Sequence, residues 1–204
     1  VGLNSVSNKA VLDQTGFDNI FIFPACADSG IPFGLALWGC GQQVAFKNAY
    51  TGVEYSEDRI QQTLEQYRLP YQRFELTEVA SLIAEGKVVG WFQGGSEYGP
   101  RALGHRSILA DSRKAQMKDI LNLQVKHREP FRPFAPAILL EHSQEYFDLD
   151  VASPYMLLVA KVKKPDAIPS VTHIDNTARV QTVTREANGR YYDLINEYYK
   201  ITGV

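Results

Sequence analysis

The sequence is poor in cysteine and has no long apolar run. Its 204 residues contain two cysteines, Cys26 and Cys40, which form neither a CxxC motif nor a disulfide-rich framework. This usage is typical of a reducing compartment and predicts a cytoplasmic protein with packed, apolar thiols. No apolar run reaches the ~18–20 residues that a membrane span requires, so no membrane partner is expected. A basic and then apolar signal peptide is also missing from residues 1–10.

A strong net charge and the common nucleotide fingerprints are missing too. The formal net charge is -2, which gives no global reason to expect a nucleic acid or an anionic membrane as partner. The GxGxxG and Walker patterns are absent, which argues against Rossmann and P-loop sites. No internal repeat or low-complexity tract occurs.

The composition is that of an ordinary globular chain, with 45% hydrophobic and 22% charged residues. The length suits one or two domains. The chain starts at Val1, and its last predicted helix ends at Gly203, where a further element usually follows. We therefore expect a fragment of a larger enzyme.

Helices dominate the predicted structure of the first 76 residues. Periodicity and capping residues predict helices over 4–13, over about 30–40 and after Ser56. A buried strand is predicted over 19–24, closed by Pro24. Residues 41–55 are expected to form a loop with a potential hairpin.

From residue 77 the pattern alternates between helix and strand. Thr77 is the predicted N-cap of one helix, and Asp111 or Ser112 that of another, which must end before Pro130. The apolar face of the second helix comprises Met117, Ile120, Leu121 and Val125. Strands are predicted over 87–92, 134–140, 155–162 and 178–184, the last of them half-buried, with a short helix at "HSQEYF" and a final helix over 190–200. This alternation predicts an α/β fold.

Positive charge concentrates in one window of this mildly acidic chain. The stretch "GGSEYGPRALGHRSILADSR" follows a predicted strand, and "REPFRPFAP" follows a predicted helix. Between residues 101 and 132 there are three acids and eight cations: Arg101, Arg106, Arg113, Lys114, Lys118, Lys126, Arg128 and Arg132. Lys114 and Lys118 have the i,i+4 spacing of a solvated helix face.

The other cations lie in two loops that glycine and proline shape. Basic loops at strand ends can form an anion pocket, and guanidinium groups suit phosphate or carboxylate. Glycines in the first loop would let backbone N–H groups approach the same anion. The alternative is an arginine network paired with Glu97, Glu129 and carbonyl oxygens. The four histidines are scattered and are expected to be structural, although His105 and His127 lie close enough in sequence to donate to a phosphate.

Three segments resemble the NodU/CmcH family of O-carbamoyltransferases, which acts on nodulation factors and antibiotics. They are "GWFQGGSEYGPRALGHRSILADSR", "LNLQVKHREPFRPFAPAIL" and "TARVQTV". The front segments "VGLNSVSNKAV" and "FIFPACADSGIPFGLAL" resemble the end of the family's first, actin-like (ASKHA) domain. The resemblance implies an ASKHA-like piece over 1–50, a linker over 51–74 and a YrdC-like domain over 75–204, with a twisted mixed sheet and flanking helices.

The resemblance also implies a two-step activity. The YrdC-like domain would form carbamoyl adenylate from carbamoyl phosphate and ATP, and the ASKHA-like domain would transfer the carbamoyl group to an acceptor hydroxyl. The implied partners are a small hydroxyl-bearing acceptor and the missing N-terminal ASKHA-like domain of the same polypeptide; a homodimer is left open. The acceptor itself cannot be deduced from this sequence.

The resemblance assigns roles residue by residue. Arg101, Lys126 and Arg132 would be catalytic, with Lys126 neutralising the phosphate charge and Arg132 fixing carbamoyl phosphate. The wider set that would bind carbamoyl phosphate and the ATP phosphates is Arg101, Arg106, Ser107, Lys126, Arg128, Arg132 and Arg179.

Three residues at the front of the chain carry implied roles in the first domain. Gly2 and Asn4 would lie beside that domain's nucleotide. Asp28 would ligate a divalent metal, iron or magnesium, whose other ligands lie outside this chain; from the residues alone, Asp28 is a helix N-cap. The family's HxxxH segment and its "NTSFN"-type segment are both absent, so full activity of this fragment is not expected.

Two other functions remain open from the sequence. A YrdC-like domain could instead make threonylcarbamoyl adenylate for tRNA modification, from threonine and bicarbonate. It could also be a non-catalytic RNA-binding module that uses the same basic concavity, with strongly salt-dependent binding.

Overall fold

The computed structural model describes residues 1–41, 43 and 45–204. The chain is mixed α/β, as predicted, and the described residues up to Ala84 contain helices and no strand. These helices are α1 (Ser5–Gln14), α2 (Gly30–Cys40), α3 (Glu57–Gln66) and α4 (Leu76–Ala84).

Local capping explains where the front helices begin. The Asn4 side chain accepts the N–H groups of Val6 and Ser7 at 3.2 and 3.1 Å and starts α1. Ser56 accepts the N–H of Arg59 at 3.2 Å and starts α3, as predicted. Helix α2 also matches its predicted range, but Ile31, Leu35 and Trp38 are 60%, 61% and 84% exposed.

Two expectations for this region are wrong. Residues 19–24 form no strand with any described residue, and Phe21 is 73% exposed, because no neighbouring backbone pairs with this segment. Helix α4 begins at a capping box made by Glu75 and Glu78, so the N-cap is not Thr77. The described residues of 41–55 form the predicted loop without the potential hairpin; Gln42 and Val44 lie outside the described residues.

The strands form pairs. Strand β1 (Val89–Phe92) pairs antiparallel with β2 (Arg106–Leu109), and β4 (Val159–Lys161) pairs antiparallel with β5 (Thr177–Arg179). Strand β3 (Ala137–Leu139) pairs parallel with β6 (Gln181–Val183). The actin-like and YrdC-like assignments stay predictions.

Three predictions about strands need correction. Strand β2 lies inside the stretch predicted as a loop. The half-buried strand predicted over 178–184 divides into β5 and β6, which join different sheets, and all three residues of β6 are buried. Strand β3 is shorter than its predicted 134–140 because Pro136 precedes it and has no N–H to donate.

The helix predicted to follow Asp111 or Ser112 begins later. Helix α5 (Met117–Asp119) starts after Gln116 and continues as a π-helix (Ile120–Val125) that ends before Pro130. Asp111 is not its cap, since that carboxylate is buried and paired with Arg113.

The remaining helices lie in the last third of the chain. They are a 3₁₀-helix (Leu140–His142), α6 (Ser143–Tyr146), a second 3₁₀-helix (Pro169–Val171) and α7 (Gly189–Thr202).

Two apolar cores hold these elements. Helices α4 and α7 enclose the first core, which includes Ile83, Val183 and Leu194. The second core surrounds Phe147, Leu158 and Val180, and Leu12 of α1 packs against it. Within the described part of the chain, no helix is both long and apolar enough to cross a membrane.

Candidate anion-binding site

The loop between β1 and β2 carries Arg101 and is held by a single carboxylate. Glu97 Oε1 accepts the backbone N–H groups of Leu103, His105 and Arg106 at 2.7, 2.9 and 3.1 Å. Burial alone would raise the pKa of this carboxyl, but the three N–H groups outweigh burial and lower it. An ionised Glu97 therefore fixes the loop in one conformation.

Arg106, a predicted phosphate ligand, is turned toward its own loop. Its guanidinium donates to the carbonyl oxygens of Gln93, Gly94 and His105 at 2.6, 3.0 and 3.0 Å. It also lies 3.6 Å over the centre of the Phe92 ring. Most of its donors are thus used in shaping the loop, as the arginine-network alternative expects. Ser107 Oγ likewise accepts the N–H of Gly104 at 3.0 Å.

The linker predicted over 51–74 starts beside this loop, and Tyr50 just before it packs on His105. The two rings stack 3.7 Å apart, and the Tyr50 hydroxyl donates to the carbonyl of Leu103 at 3.0 Å. Burial raises the pKa of Tyr50 to about 12, so the hydroxyl keeps its proton. Burial has the opposite effect on His105 and lowers its pKa. The ring is therefore neutral and structural, as expected.

The second basic loop is held by a buried amide that the sequence analysis missed. Asn122 has no exposed surface, and its Oδ1 accepts the Arg128 Nε–H at 2.7 Å. Its Nδ2 donates to the carbonyl oxygens of Pro130 and Arg132 at 3.1 and 2.9 Å. The Arg128 guanidinium also lies 4.8 Å from the centre of the Phe134 ring.

Arg101, Arg128 and Arg179 form what we call the arginine cluster. Burial, together with the nearby charges of Arg101 and Arg128, lowers the pKa of Arg179, on β5, to about 10. The Nε atoms of Arg101 and Arg179 are buried without a hydrogen-bond partner among the described residues. In that part of the chain no carboxylate forms an ion pair with any member of the cluster.

This arrangement suits an anionic ligand. Buried donors and charges destabilise a protein unless they are paired, and mutual repulsion adds to that cost. A phosphate or carboxylate would accept the free N–H groups and neutralise the charge. The cluster therefore has the properties of an anion site.

The other predicted site residues are exposed or form hydrogen bonds with residues near them in sequence. Lys126 is exposed at the end of the π-helix, and Arg132 is half-exposed and pairs with Glu129 at 2.8 Å. The carbonyl of Gly2 accepts Asn8 Nδ2 at 2.9 Å, while Asn4 caps α1. Their predicted roles with substrate remain predictions.

The predicted metal ligand Asp28 lies apart from other candidate ligands among the residues that the structure describes. Asp28 is exposed, and nowhere among the described residues do three His, Cys, Asp or Glu side chains come together. A single carboxylate does not make a site for iron or magnesium.

The fold and site define a mixed α/β protein with an arginine-lined candidate site for an anion, and comparison with known proteins gives the family. Residues 80–204 match the family described as Carbamoyltransferase C-terminus. The chain is 40% identical to the nodulation protein NolNO of Sinorhizobium fredii, over 100% of this chain and 32% of the relative. It is 34% identical to the 3'-hydroxymethylcephem-O-carbamoyltransferase of Streptomyces clavuligerus, over 100% of this chain and 39% of the relative. The chain belongs to the carbamoyltransferase family, which confirms the predicted resemblance.

The chain is much shorter than these proteins. It spans 32–40% of the length of the curated relatives that it matches. Activity, substrates and partners of the whole protein therefore belong to the proposal that follows.

Proposed function

We propose that this chain is the part of an O-carbamoyltransferase that binds carbamoyl phosphate and the phosphates of ATP and forms carbamoyl adenylate. The arginine cluster is the observation that carries the proposal. Arg101 and Arg128 lie close enough to Arg179 for their charges to lower its pKa, and Arg101 and Arg179 each keep a buried Nε–H without a partner among the described residues. Membership of the carbamoyltransferase family supports carbamoyl as the transferred group.

The proposed chemistry proceeds in two steps. Carbamoyl phosphate, water and ATP give carbamoyl adenylate, phosphate and pyrophosphate. An acceptor hydroxyl then attacks the carbamoyl carbon, and AMP leaves. The arginine cluster would stabilise negative charge on the phosphates during the first step. Lys126, which is more exposed, would neutralise charge on the transferred or leaving phosphate, and Arg132 would fix carbamoyl phosphate.

The second step would need a further domain, which we propose to be ASKHA-like. The exposed apolar side chains of α2 favour a partner domain that covers them; Trp38, for example, is 84% exposed. The acceptor is proposed to be a small molecule with a hydroxyl group, by analogy with the O-carbamoyltransferase of Streptomyces clavuligerus.

The test follows pyrophosphate release from ATP by the full-length protein, with and without carbamoyl phosphate. Arg179→Met keeps the side-chain volume but removes the charge and should lower release roughly 100-fold. Arg190→Met is the matched control, because Arg190 is exposed on α7, and it should leave release unchanged. Lys126→Ala and Arg132→Ala test the two loop residues.

The substrate requirement of pyrophosphate release distinguishes the three candidate functions. Release that requires carbamoyl phosphate and collapses in Arg179→Met supports the proposal. Release that requires threonine and bicarbonate would assign the tRNA-modification chemistry instead. If ATP is not cleaved under either condition and RNA binds with strong salt dependence, the chain is a binding module.

A further inference from the structure

The region predicted as a linker contains an amphipathic helix whose apolar face is not buried. Helix α3 has no buried residue. Ile60, Leu64 and Tyr67 have the i, i+4, i+7 spacing of one helix face, and Tyr67 is 66% exposed. Asp58 and Glu65 lie on the opposite face. A helix with this pattern usually packs its apolar face against another element, so the apolar face of α3 has surface available for a partner.

The chain that follows α3 adds exposed apolar side chains at the end of the helix. Leu69, Tyr71 and Phe74 are each about half-exposed. The Leu69 N–H donates to the carbonyl of Leu64 at 2.9 Å, and the Tyr71 hydroxyl donates to Glu65 Oε1 at 3.4 Å, so this segment stays beside the helix. We use the term α3 surface for the apolar residues of the helix and of this segment: Ile60, Leu64, Tyr67, Leu69, Tyr71 and Phe74.

The charges along this region are self-complementary. Residues 54–59 contain three acids and one arginine, while residues 65–73 contain two arginines and one acid. Glu57 in the first turn of α3 and Arg68 just past its end form no ion pair with any described residue. A two-fold axis that crosses α3 would place the acidic end of one copy beside the basic end of the other, because contacts across such an axis are reciprocal. This charge pattern therefore favours a second copy of the chain as the partner.

The α3 surface is also large enough for a homodimer. Five of its side chains are at least 40% exposed. Each would bury roughly 100 Å², since a fully covered aromatic side chain buries about 150–250 Å². About 60% of a protein interface is apolar, so this area implies about 800 Å² per copy, which is the size of a standard stable interface.

We propose that the α3 surface is the interface of a homodimer, in which α3 of one copy packs antiparallel to α3 of the other. Glu57 of each copy then lies beside Arg68 of the other copy, and the apolar side chains between these charges become buried. The inference concerns assembly and does not depend on the proposed function. It gives the homodimer, which the sequence left open, a defined interface.

Sedimentation velocity of the full-length protein over a range of concentrations measures the dissociation constant of the dimer. We expect the wild type to dimerise and Tyr67→Glu to raise this dissociation constant roughly 100-fold, because a charge without a partner is costly to bury in an interface. Ile174→Glu is the matched control, since Ile174 is an exposed apolar residue outside the α3 surface, and it should dimerise as the wild type does.

Two charge reversals test the antiparallel arrangement. Glu57→Arg and Arg68→Glu each place like charges together twice in a dimer, so each variant alone should associate roughly tenfold more weakly. A mixture of the two variants should restore dimerisation, because one variant has two basic ends and the other has two acidic ends. Glu186→Arg reverses an exposed charge before α7 and is the control, which should neither weaken association nor restore it.

Three results would overturn the proposal. The first is a full-length protein that stays monomeric at every concentration, and the second is a dimer that Tyr67→Glu leaves intact. The third is a mixture of Glu57→Arg and Arg68→Glu that associates no more tightly than either variant alone, which would exclude the antiparallel packing. None of these results bears on the arginine cluster, which the pyrophosphate assay tests separately.

Discussion

Asn122 shows how one residue organises the proposed site without touching substrate. Its three side-chain hydrogen bonds join Arg128 to the carbonyl oxygens of Pro130 and Arg132. Because Asn122 is fully buried, none of these groups can exchange it for water. It is a positioning residue for the arginine cluster.

Replacing Asn122 distinguishes a role in positioning Arg128 from a role in stabilising the fold. Asn122→Leu should raise the KM for ATP about tenfold, since Arg128 loses the acceptor that orients it. The unpaired carbonyl groups should also lower the free energy of unfolding by about 1–3 kcal/mol. Steady-state kinetics and urea unfolding measure the two effects.

Gln124→Leu is the control for this substitution, because Gln124 is exposed on the same π-helix. A KM for ATP that stays at the wild-type value in Asn122→Leu would show that the amide supports the fold only.

At the scale of elements, the turn into β2 depends on a close approach of α7. Gly104 has a φ of +98°, and a Cβ at this position would lie 2.3 Å from the ring of Tyr191 on α7. Gln181 on β6 and the indole of Trp91 on β1 donate to carbonyl oxygens at Leu103 and Gly104, both at 2.9 Å. The turn therefore cannot move away from the helix without breaking these bonds.

Gly104→Ala should destabilise the protein by about 2–4 kcal/mol, from overpacking and a left-handed backbone. Gly90→Ala is the matched control on the neighbouring strand, where a Cβ meets nothing within 4 Å. Urea unfolding of both variants measures the difference. Equal stabilities would mean that Tyr191 moves aside freely.

At the scale of the whole molecule, the segment Asp111–Arg113 joins three elements: α4, α7 and the 3₁₀-helix Pro169–Val171. The Asp111 carboxylate, which has no exposed surface, accepts from Arg113 at 2.9 Å and from the Tyr198 hydroxyl of α7 at 2.7 Å. Arg113 also donates to the carbonyl of Ala84 at the end of α4, at 2.9 Å. The backbone N–H of Ser170, in a 3₁₀-helix, reaches the carbonyl of Ser112 at 3.2 Å.

This junction predicts a loss of stability in acid. Burial would raise the pKa of Asp111, but the hydrogen bonds from Arg113 and Tyr198 outweigh it and lower the pKa below its ordinary value. The contribution of Asp111 is therefore present above the unfolded pKa of about 4 and is lost as the pH falls through the folded pKa.

Unfolding by urea at several pH values tests this expectation. Asp111→Asn should be less stable than the wild type by about 3 kcal/mol at pH 7, and the difference should shrink below about pH 4. Asp150→Asn should show no pH-dependent difference. If the free energies of unfolding of the wild type and Asp111→Asn differ by the same amount across this pH range, the result would contradict the role of the ionised carboxylate.

Features that depend on neighbours in sequence were predictable from the sequence. The Ser56 cap acts within three residues, so α3 begins where it is predicted, and α1 begins one residue after its predicted start. The excess of cations between residues 101 and 132, most of which lie in two loops that glycine and proline shape, predicts an anion pocket for the same local reason, and this pocket stays a prediction. The motifs that contain these loops are also sufficient by themselves to identify the carbamoyltransferase family.

Only the tertiary structure decided which cations remain without a partner. Arg101 lies in the loop between β1 and β2 and Arg106 is the first residue of β2, yet Arg106 donates to three carbonyl groups while Arg101 keeps a buried Nε–H without a partner among the described residues. Strand pairing divided 178–184 into β5 and β6, and this division places Arg179 beside Arg101 and Arg128. Charge can be read from sequence, but the neutralisation of a charge depends on groups that are distant in sequence and come together only when the chain folds.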